Sequence, residues 1–387
     1  MCFLPCERKG NINTTTHLGL WHLNSHSCNQ SRQRDMATGG ALPMVDLAPF
    51  FTQDDSDGVA RATEAVREAC LTHGFFRVVN HGVPAELMAR ALELSPVFFA
   101  LPDDEKAKAR QAEGTAAPFR AGYFRAPVPA HSPDKHEFVL VFDPKLGFNE
   151  YPAEPAGFRS VEIRIRTSKL FIIRISKRIF LPDRMLHKFR EAVEECYAKL
   201  TELGLLLQDV LNECMGLPPG FLRGYNGDRS FDFMAVHHYF PGTEEENSGL
   251  NAHEDGSCIS FVIQDGAGGL DVLKDGDWVP AEPVEGSIIV NIGDLIKVLS
   301  NNKFKSPTHR VVRKPVHRHS FAFFFNMHGD KWVEPLPEFT TKIGEAPRYR
   351  GFLLDEYLQM RMSGLIHPPS RPEDVVHNEI KITHYAI

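Results

Sequence analysis

His253-Glu254-Asp255 sets an imidazole and a carboxylate two residues apart. In an extended strand alternate side chains share a face, so His253 and Asp255 can address one metal ion while Glu254 points away. A third ligand must come from elsewhere in the chain, and His309, in Ser306-Pro307-Thr308-His309-Arg310-Val311, is the candidate. Two imidazoles and one carboxylate form the facial ligand set of non-haem iron(II), which leaves coordination positions open for substrate and oxygen. The His-x-Asp pair alone is weak evidence in a chain with 18 histidines. His237-His238 and His136-Glu137 are also metal-ligand types side by side, but neither completes a set of three.

Arg318-His319-Ser320 follows a strand period after His309. Arg318 and Ser320 share a face, so a guanidinium fork and a hydroxyl can converge on one carboxylate. A buried arginine needs an anion because an unpaired buried charge is costly. The sequence leaves two anions open, a bound carboxylate or a protein acid such as Asp294. Phe324 shares the Ser320 face by parity and is expected either in a substrate pocket or in the core. The Gly266-Ala267-Gly268-Gly269 stretch lacks the Lys-Ser/Thr of a phosphate loop and reads as a hairpin turn.

These residues have to be positioned by a β-rich second half. From Phe231, short runs such as Ser260–Ile263, Ser287–Asn291 and Phe321–Phe325 alternate with Gly, Asp and Asn turns, notably Lys274-Asp275-Gly276-Asp277. That spacing predicts an antiparallel barrel or jelly roll. Upstream, apolar residues at helical spacing predict a helix over Val59–His73, stopped before Gly74. Phe75–Val79 reads as a strand and Ala85–Leu101 as a helix, with loops and short strands between Lys106 and Pro155. Residues 191–230 read as a helical connector and Tyr349–Met362 as a final helix within a C-terminal segment 336–387. The fold class is therefore mainly β with flanking helices.

Two segments do not fit a globular pattern. Residues 1–42 begin with a stretch rich in Asn, Ser, Thr and His and without apolar period, expected to be disordered or non-native, with Met36 resembling a second start. Within 160–190, Arg164, Arg166, Lys169, Arg174, Lys177, Arg178, Arg184, Lys188 and Arg190 face only Glu162 and Asp183. Its flanks also repeat, Phe158-Arg159 before it and Phe189-Arg190 at its end. Joining Arg159 to Glu191 leaves one amphipathic helix with Val193, Tyr197, Leu200, Leu203, Leu207 and Val210 on a face. Residues 160–190 are therefore read as an insertion, the other reading being a basic surface loop.

The bulk numbers exclude several classes. A net charge of -7 argues against a nucleic-acid binder. Seven scattered cysteines without a Cys-x-x-Cys pair argue against structural zinc and a disulfide framework. No stretch is long and apolar enough to span a bilayer. The expectation is a cytoplasmic monomer with a small-molecule substrate.

In this order the motifs resemble those of the plant-type 2-oxoglutarate/iron(II) dioxygenases, which share a fold with isopenicillin N synthase. The resemblance runs through Phe75–Val83, Asp134–Phe138, His253–Gly256, Gln264-Asp265, Gly268-Gly269-Leu270, Trp278-Val279, Asn291–Asp294, Ser300–Asn302, His309–Val311 and Arg318–Ser320. It implies an N-terminal dioxygenase region at 43–159 and a core at 231–335 built as a distorted double-stranded β-helix (jelly roll). It also implies iron(II) on His253, Asp255 and His309 and 2-oxoglutarate on Arg318 and Ser320, with O2 consumed and ascorbate supportive. The reaction would hydroxylate or desaturate a small, largely apolar metabolite such as a flavonoid, gibberellin or indole, releasing succinate and carbon dioxide. Where relatives usually carry Asn-Tyr-Tyr-Pro, this chain has His238-Tyr239-Phe240-Pro241. On that alignment His238 helps hold 2-oxoglutarate, Phe240 lines the pocket without a hydroxyl, and a catalytically silent binding protein is the alternative.

Overall fold

The computed structural model describes residues 42–109, 121–125, 135–152, 163–164, 174–175, 185–363 and 382–387. The expected N-terminal segment therefore lies outside the described residues, Leu42 apart, as does most of 160–190. What is described of the latter is β5 (Ile163–Arg164) paired antiparallel with β6 (Arg174–Ile175), and the start of helix α4 (Met185–Cys214).

An eight-stranded sheet carries the order β1 (Met44–Asp46), β2 (Phe75–Val79), β12 (Ile288–Ile292), β9 (Ile259–Gln264), β14 (Arg318–Phe325), β7 (Phe233–Tyr239), β4 (His136–Phe142), β3 (Gly122–Arg125). A four-stranded sheet runs β11 (Asp277–Pro280), β10 (Leu270–Lys274), β13 (His309–Val312), β8 (Ser248–His253). A short pair, β15 (Trp332–Val333) and β16 (Phe352–Leu353), stands apart.

The central strands β12 and β9 are largely buried on both faces because both faces of the sheet are covered there. One face packs on helices: α1 (Ser56–Thr72), α2 (Ala85–Phe99) and the 30-residue α4. There Phe323 meets the Tyr197 ring edge-on at 5.0 Å. Phe325 presses so close to Gly204 that an added Cβ would sit 2.3 Å from its ring. The other face meets the small sheet through Phe75, Tyr239 and Ile289 on one side and Leu270, Val272 and Val311 on the other. Two facing sheets, antiparallel except for the β1–β2 pair, enclose a lumen and give the jelly-roll core.

Parity decides what enters that lumen. Arg318, Ser320, Ala322 and Phe324 of β14 pair with Tyr239, His237, Ala235 and Phe233 of β7, so these side chains share the lumen face. His319, Phe321, Phe323 and Phe325 take the helix face, opposite His238, Val236 and Met234.

Some sequence expectations change. The glycine run after Gln264 is not a hairpin, because β9 and β10 lie in different sheets and the run crosses between them. The true hairpin is Lys274–Asp277, where Asp275 (φ 52°) and Gly276 (φ 94°) adopt the left-handed pair of a type I′ turn. The last helix, α7 (Leu354–Ser363), begins later than its periodicity suggests because Phe352-Leu353 is drawn into β16. Two short helices, α5 (Phe221–Asn226) and α6 (Asp294–Leu299), complete the set with α3 (Asp103–Ala107).

Candidate active site

His253 ends β8, and its register partner across the small sheet is His309 at the start of β13. Asp255 lies just past the strand end rather than within it. It is held there by its carbonyl, which accepts from Asp294 N at 2.8 Å, and by Asn291 Nδ2, which donates to its Oδ2 at 2.8 Å. The free oxygen Oδ1 stands 3.5 Å from His253 Nε2 and 3.6 Å from His309 Nε2. One ligand atom from each of the three lies within 4.8 Å of the others, and among the described residues this is the single such cluster of metal-ligand types.

Both imidazoles are oriented by their own backbone. His253 Nδ1 contacts Asn251 O at 2.7 Å and His309 Nδ1 contacts Pro307 O at 3.2 Å. A carbonyl can only accept, so each Nδ1 carries the proton and each Nε2 presents a lone pair to the shared centre. Burial, then His253, push His309 down to about 4, against Asp255. Burial alone would raise the Asp255 carboxyl, but His309 and His253 outweigh it and hold it below the usual range. The cluster thus offers a carboxylate at Asp255 and a neutral imidazole at His309, the protonation states a metal requires.

Arg318 is 1% exposed, and the alternative of a protein counter-ion fails. Its Nε donates to Gly268 O at 2.7 Å, Nη1 to Ser320 Oγ at 2.8 Å and Nη2 to Gln264 Oε1 at 3.1 Å, all neutral acceptors. Asp294 is engaged instead by Tyr357 and Arg361. Among the described residues no carboxylate lies within ion-pair distance of Arg318. A buried guanidinium left without an anion, flanked by a hydroxyl, is a receptor for a ligand carboxylate.

His238 does not join this group. It lies on the helix face, with Nδ1 2.7 Å from Glu137 Oε1 and Nε2 2.9 Å from His317 Nδ1, stacked on His319 at 4.7 Å. Glu137 also accepts from Lys106 Nζ at 2.7 Å and from Tyr123 Oη at 2.6 Å, so His238 belongs to a buried structural network. Phe240 lies beyond the end of β7, its ring under the Arg125 guanidinium and against His238, away from Phe324. Phe324 does face the lumen, stacked on Phe233 at 4.6 Å.

The residue that stands beside Arg318 in place of His238 is Tyr239, 5.0 Å from the guanidinium, and His237 lies one rung along on the same face. Burial, then Arg318 and His253, depress His237 to about 3, so it lies within electrostatic reach of both the arginine and the histidine cluster. Sequence reasoning missed this pair because β7 is apolar or aromatic on both faces and offers no alternation from which to read parity. The hydroxyl absent at Phe240 is supplied at Tyr239.

Two family profiles match the chain: the 2OG-Fe(II) oxygenase superfamily over residues 230–327 and the N-terminal region of non-haem dioxygenases in morphine synthesis over 42–150. The chain is 33% identical to gibberellin 20 oxidase 2 of Oryza sativa subsp. indica over 304 residues, 78% of this chain and 71% of that protein. It is 32% identical to flavanone 3-dioxygenase 2 of Oryza sativa subsp. japonica over 321 residues, 82% of each. Among solved structures, JOX2 in complex with 2OG, Fe and JA aligns with a TM-score of 0.61 and 27% identity, covering 82% of this chain and 84% of that one. The dioxygenase for auxin oxidation in rice shares the fold, with a TM-score of 0.59 at 24% identity, over 83% of this chain and 95% of that one. The chain belongs to the 2OG-Fe(II) oxygenase superfamily and is an iron(II)- and 2-oxoglutarate-dependent oxidoreductase.

Proposed function

We propose that His253, Asp255 and His309 hold the iron(II), that Arg318, Ser320 and Tyr239 hold the distal carboxylate of 2-oxoglutarate, and that the enzyme hydroxylates a small, largely apolar metabolite. The observation that carries this reading is the unpaired Arg318 guanidinium sharing one lumen with three converging ligand atoms. When bound, iron(II) with 2-oxoglutarate and O2 supplies oxidation of a substrate C–H bond, with release of succinate and carbon dioxide. The protein's share is positioning. Asn291 orients one ligand, Gln264 and Ser320 fix the arginine fork, and the apolar contacts between the sheets limit water.

The silent-binder alternative drew on His238 and Phe240, and it loses that support because Tyr239 stands beside Arg318. The named activities of the relatives, on a gibberellin and on a flavanone, favour a substrate of that size and polarity rather than a nucleic acid. A monomer in a reducing compartment such as the cytoplasm fits the described cysteines, Cys70, Cys196, Cys214 and Cys258, all free and buried. Among the described residues no helix is long and apolar enough to cross a membrane. The test is substrate-stimulated succinate release with iron(II), ascorbate and 2-oxoglutarate across flavonoid, gibberellin and indole collections. Failure of every compound to raise succinate above the uncoupled rate would count against the substrate class.

A further inference from the structure

One rung of the large sheet crosses five strands on the lumen face. Phe124 pairs with Phe138, Phe138 with His237, His237 with Ser320 and Ser320 with Gln264. At one end, Ser320 and Gln264 are two of the three acceptors of Arg318. At the other, Phe124 and Phe138 are stacked at 5.3 Å with their planes 19° apart, and both are only half-buried. His237 sits at the junction, also half-buried. Its Nδ1 lies 2.7 Å from His136 Nε2, and His136 is clamped between Phe138 and Tyr239 at 5.3 and 4.3 Å. His237 Nε2 has no hydrogen-bond partner among the described residues.

We propose that this rung is the substrate's seat: a planar ring lies against Phe124 and Phe138, and His237 reads one uncharged hydroxyl or carbonyl group on it. The inference rests on the oxygenase reading above and adds the residue that selects among apolar ring compounds. An aromatic shelf suits a π-face and offers nothing to a dicarboxylate, so the Phe end of the rung is separate from the 2-oxoglutarate anchor. With Nδ1 engaged by His136, the imidazole presents one fixed hydrogen-bonding nitrogen whichever tautomer it holds. His136 is a positioning residue, because its stacked ring locks the orientation of His237.

The test is anaerobic titration of the iron(II)- and 2-oxoglutarate-loaded protein with two probe pairs, 2-naphthol against naphthalene and 7-hydroxyflavanone against flavanone. Binding is read by perturbation of the iron–2-oxoglutarate charge-transfer absorption. The hydroxylated member of a pair should bind about tenfold tighter to the unaltered protein, the range of one well-placed hydrogen bond. His237→Leu should erase that preference at an unchanged 2-oxoglutarate requirement, His237→Gln should retain part of it, and Phe138→Ala should weaken both members alike. A preference that survives His237→Leu, a shift in 2-oxoglutarate requirement in its place, or no binding by either pair would overturn the proposal. Absence of the 2-oxoglutarate-dependent absorption in the unaltered protein would instead strike the oxygenase reading itself.

Discussion

His253 and His309 face each other across the β8–β13 ladder with ring centroids 4.3 Å apart, each bound through Nδ1 to the carbonyl two residues before it. The same local device, used twice, turns both Nε2 atoms toward Asp255. The three candidate ligand atoms are thereby brought together by strand register and backbone carbonyls.

Removing one ligand should therefore cost the metal. His309→Ala is expected to abolish stoichiometric iron(II) binding and all turnover, since two ligands cannot fix facial geometry. Asn291→Ala should keep the ligands but free the Asp255 carboxylate to rotate, lowering iron(II) affinity about 10- to 100-fold. Both are read by equilibrium titration with iron(II), and full occupancy in His309→Ala would remove the triad from the account.

Parity within β7 separates Tyr239 from His238, and mutagenesis can test it. Arg318→Lys replaces a planar fork by a point charge and should raise the 2-oxoglutarate concentration for half-maximal rate about 10-fold or more. Tyr239→Phe should raise it by a smaller factor. His238→Phe should leave it near the original value while lowering the melting temperature, because Glu137 loses a buried partner. A co-substrate defect confined to His238→Phe would reverse the assignment.

That contrast shows where the sequence was legible. Arg318 and Ser320 share a face of β14 as their spacing implies, whereas Asp255 meets His253 from beyond the end of β8, held by Asn291 rather than by strand alternation; the helix and strand periods at Ser56–Thr72 and Phe75–Val79 were readable within a few residues. His237 and Tyr239 were not. A strand covered on both faces carries no polar alternation, and an aligned motif displaced by one residue inverts every side chain. The crossing after Gln264 was hidden for a related reason, since a glycine turn looks alike whether it joins neighbours or opposite sheets.

The Glu137 network predicts an acid limit to stability. Burial would raise this carboxyl, but hydrogen bonds from His238, Lys106 and Tyr123 outweigh it and hold the group near 2, below its ordinary 4.5. A folded-state value depressed in this way stabilises the fold fully above the unfolded value and is lost as pH falls from about 4.5 toward 2. The contribution is at most about 3 kcal/mol. Melting curves of the unaltered protein and Glu137→Gln should converge across that window, with the variant less stable at neutral pH because Lys106 is left buried and unpaired. Parallel curves would exclude Glu137 as the titrating group.

Phe189 is buried in α4 and stacks on Phe98 at 5.3 Å, so the end of 160–190 contributes to the core. Deleting 160–190 removes Phe189 but is expected to return a phenylalanine to its place, because the repeated Phe158-Arg159 then precedes Glu191 just as Phe189-Arg190 does now. The deletion is expected to give a soluble protein at least as thermally stable, retaining iron(II) binding. A lower melting temperature or lost iron binding would show that the segment belongs to the domain.

The most direct test of the central claim is anaerobic visible absorption on adding 2-oxoglutarate to the iron(II)-loaded protein. The unaltered protein should show a 2-oxoglutarate-dependent charge-transfer band, His309→Ala should lack it, and Arg318→Lys should show a shifted concentration dependence. No band in the unaltered protein, or an undiminished band in His309→Ala, would contradict the claim.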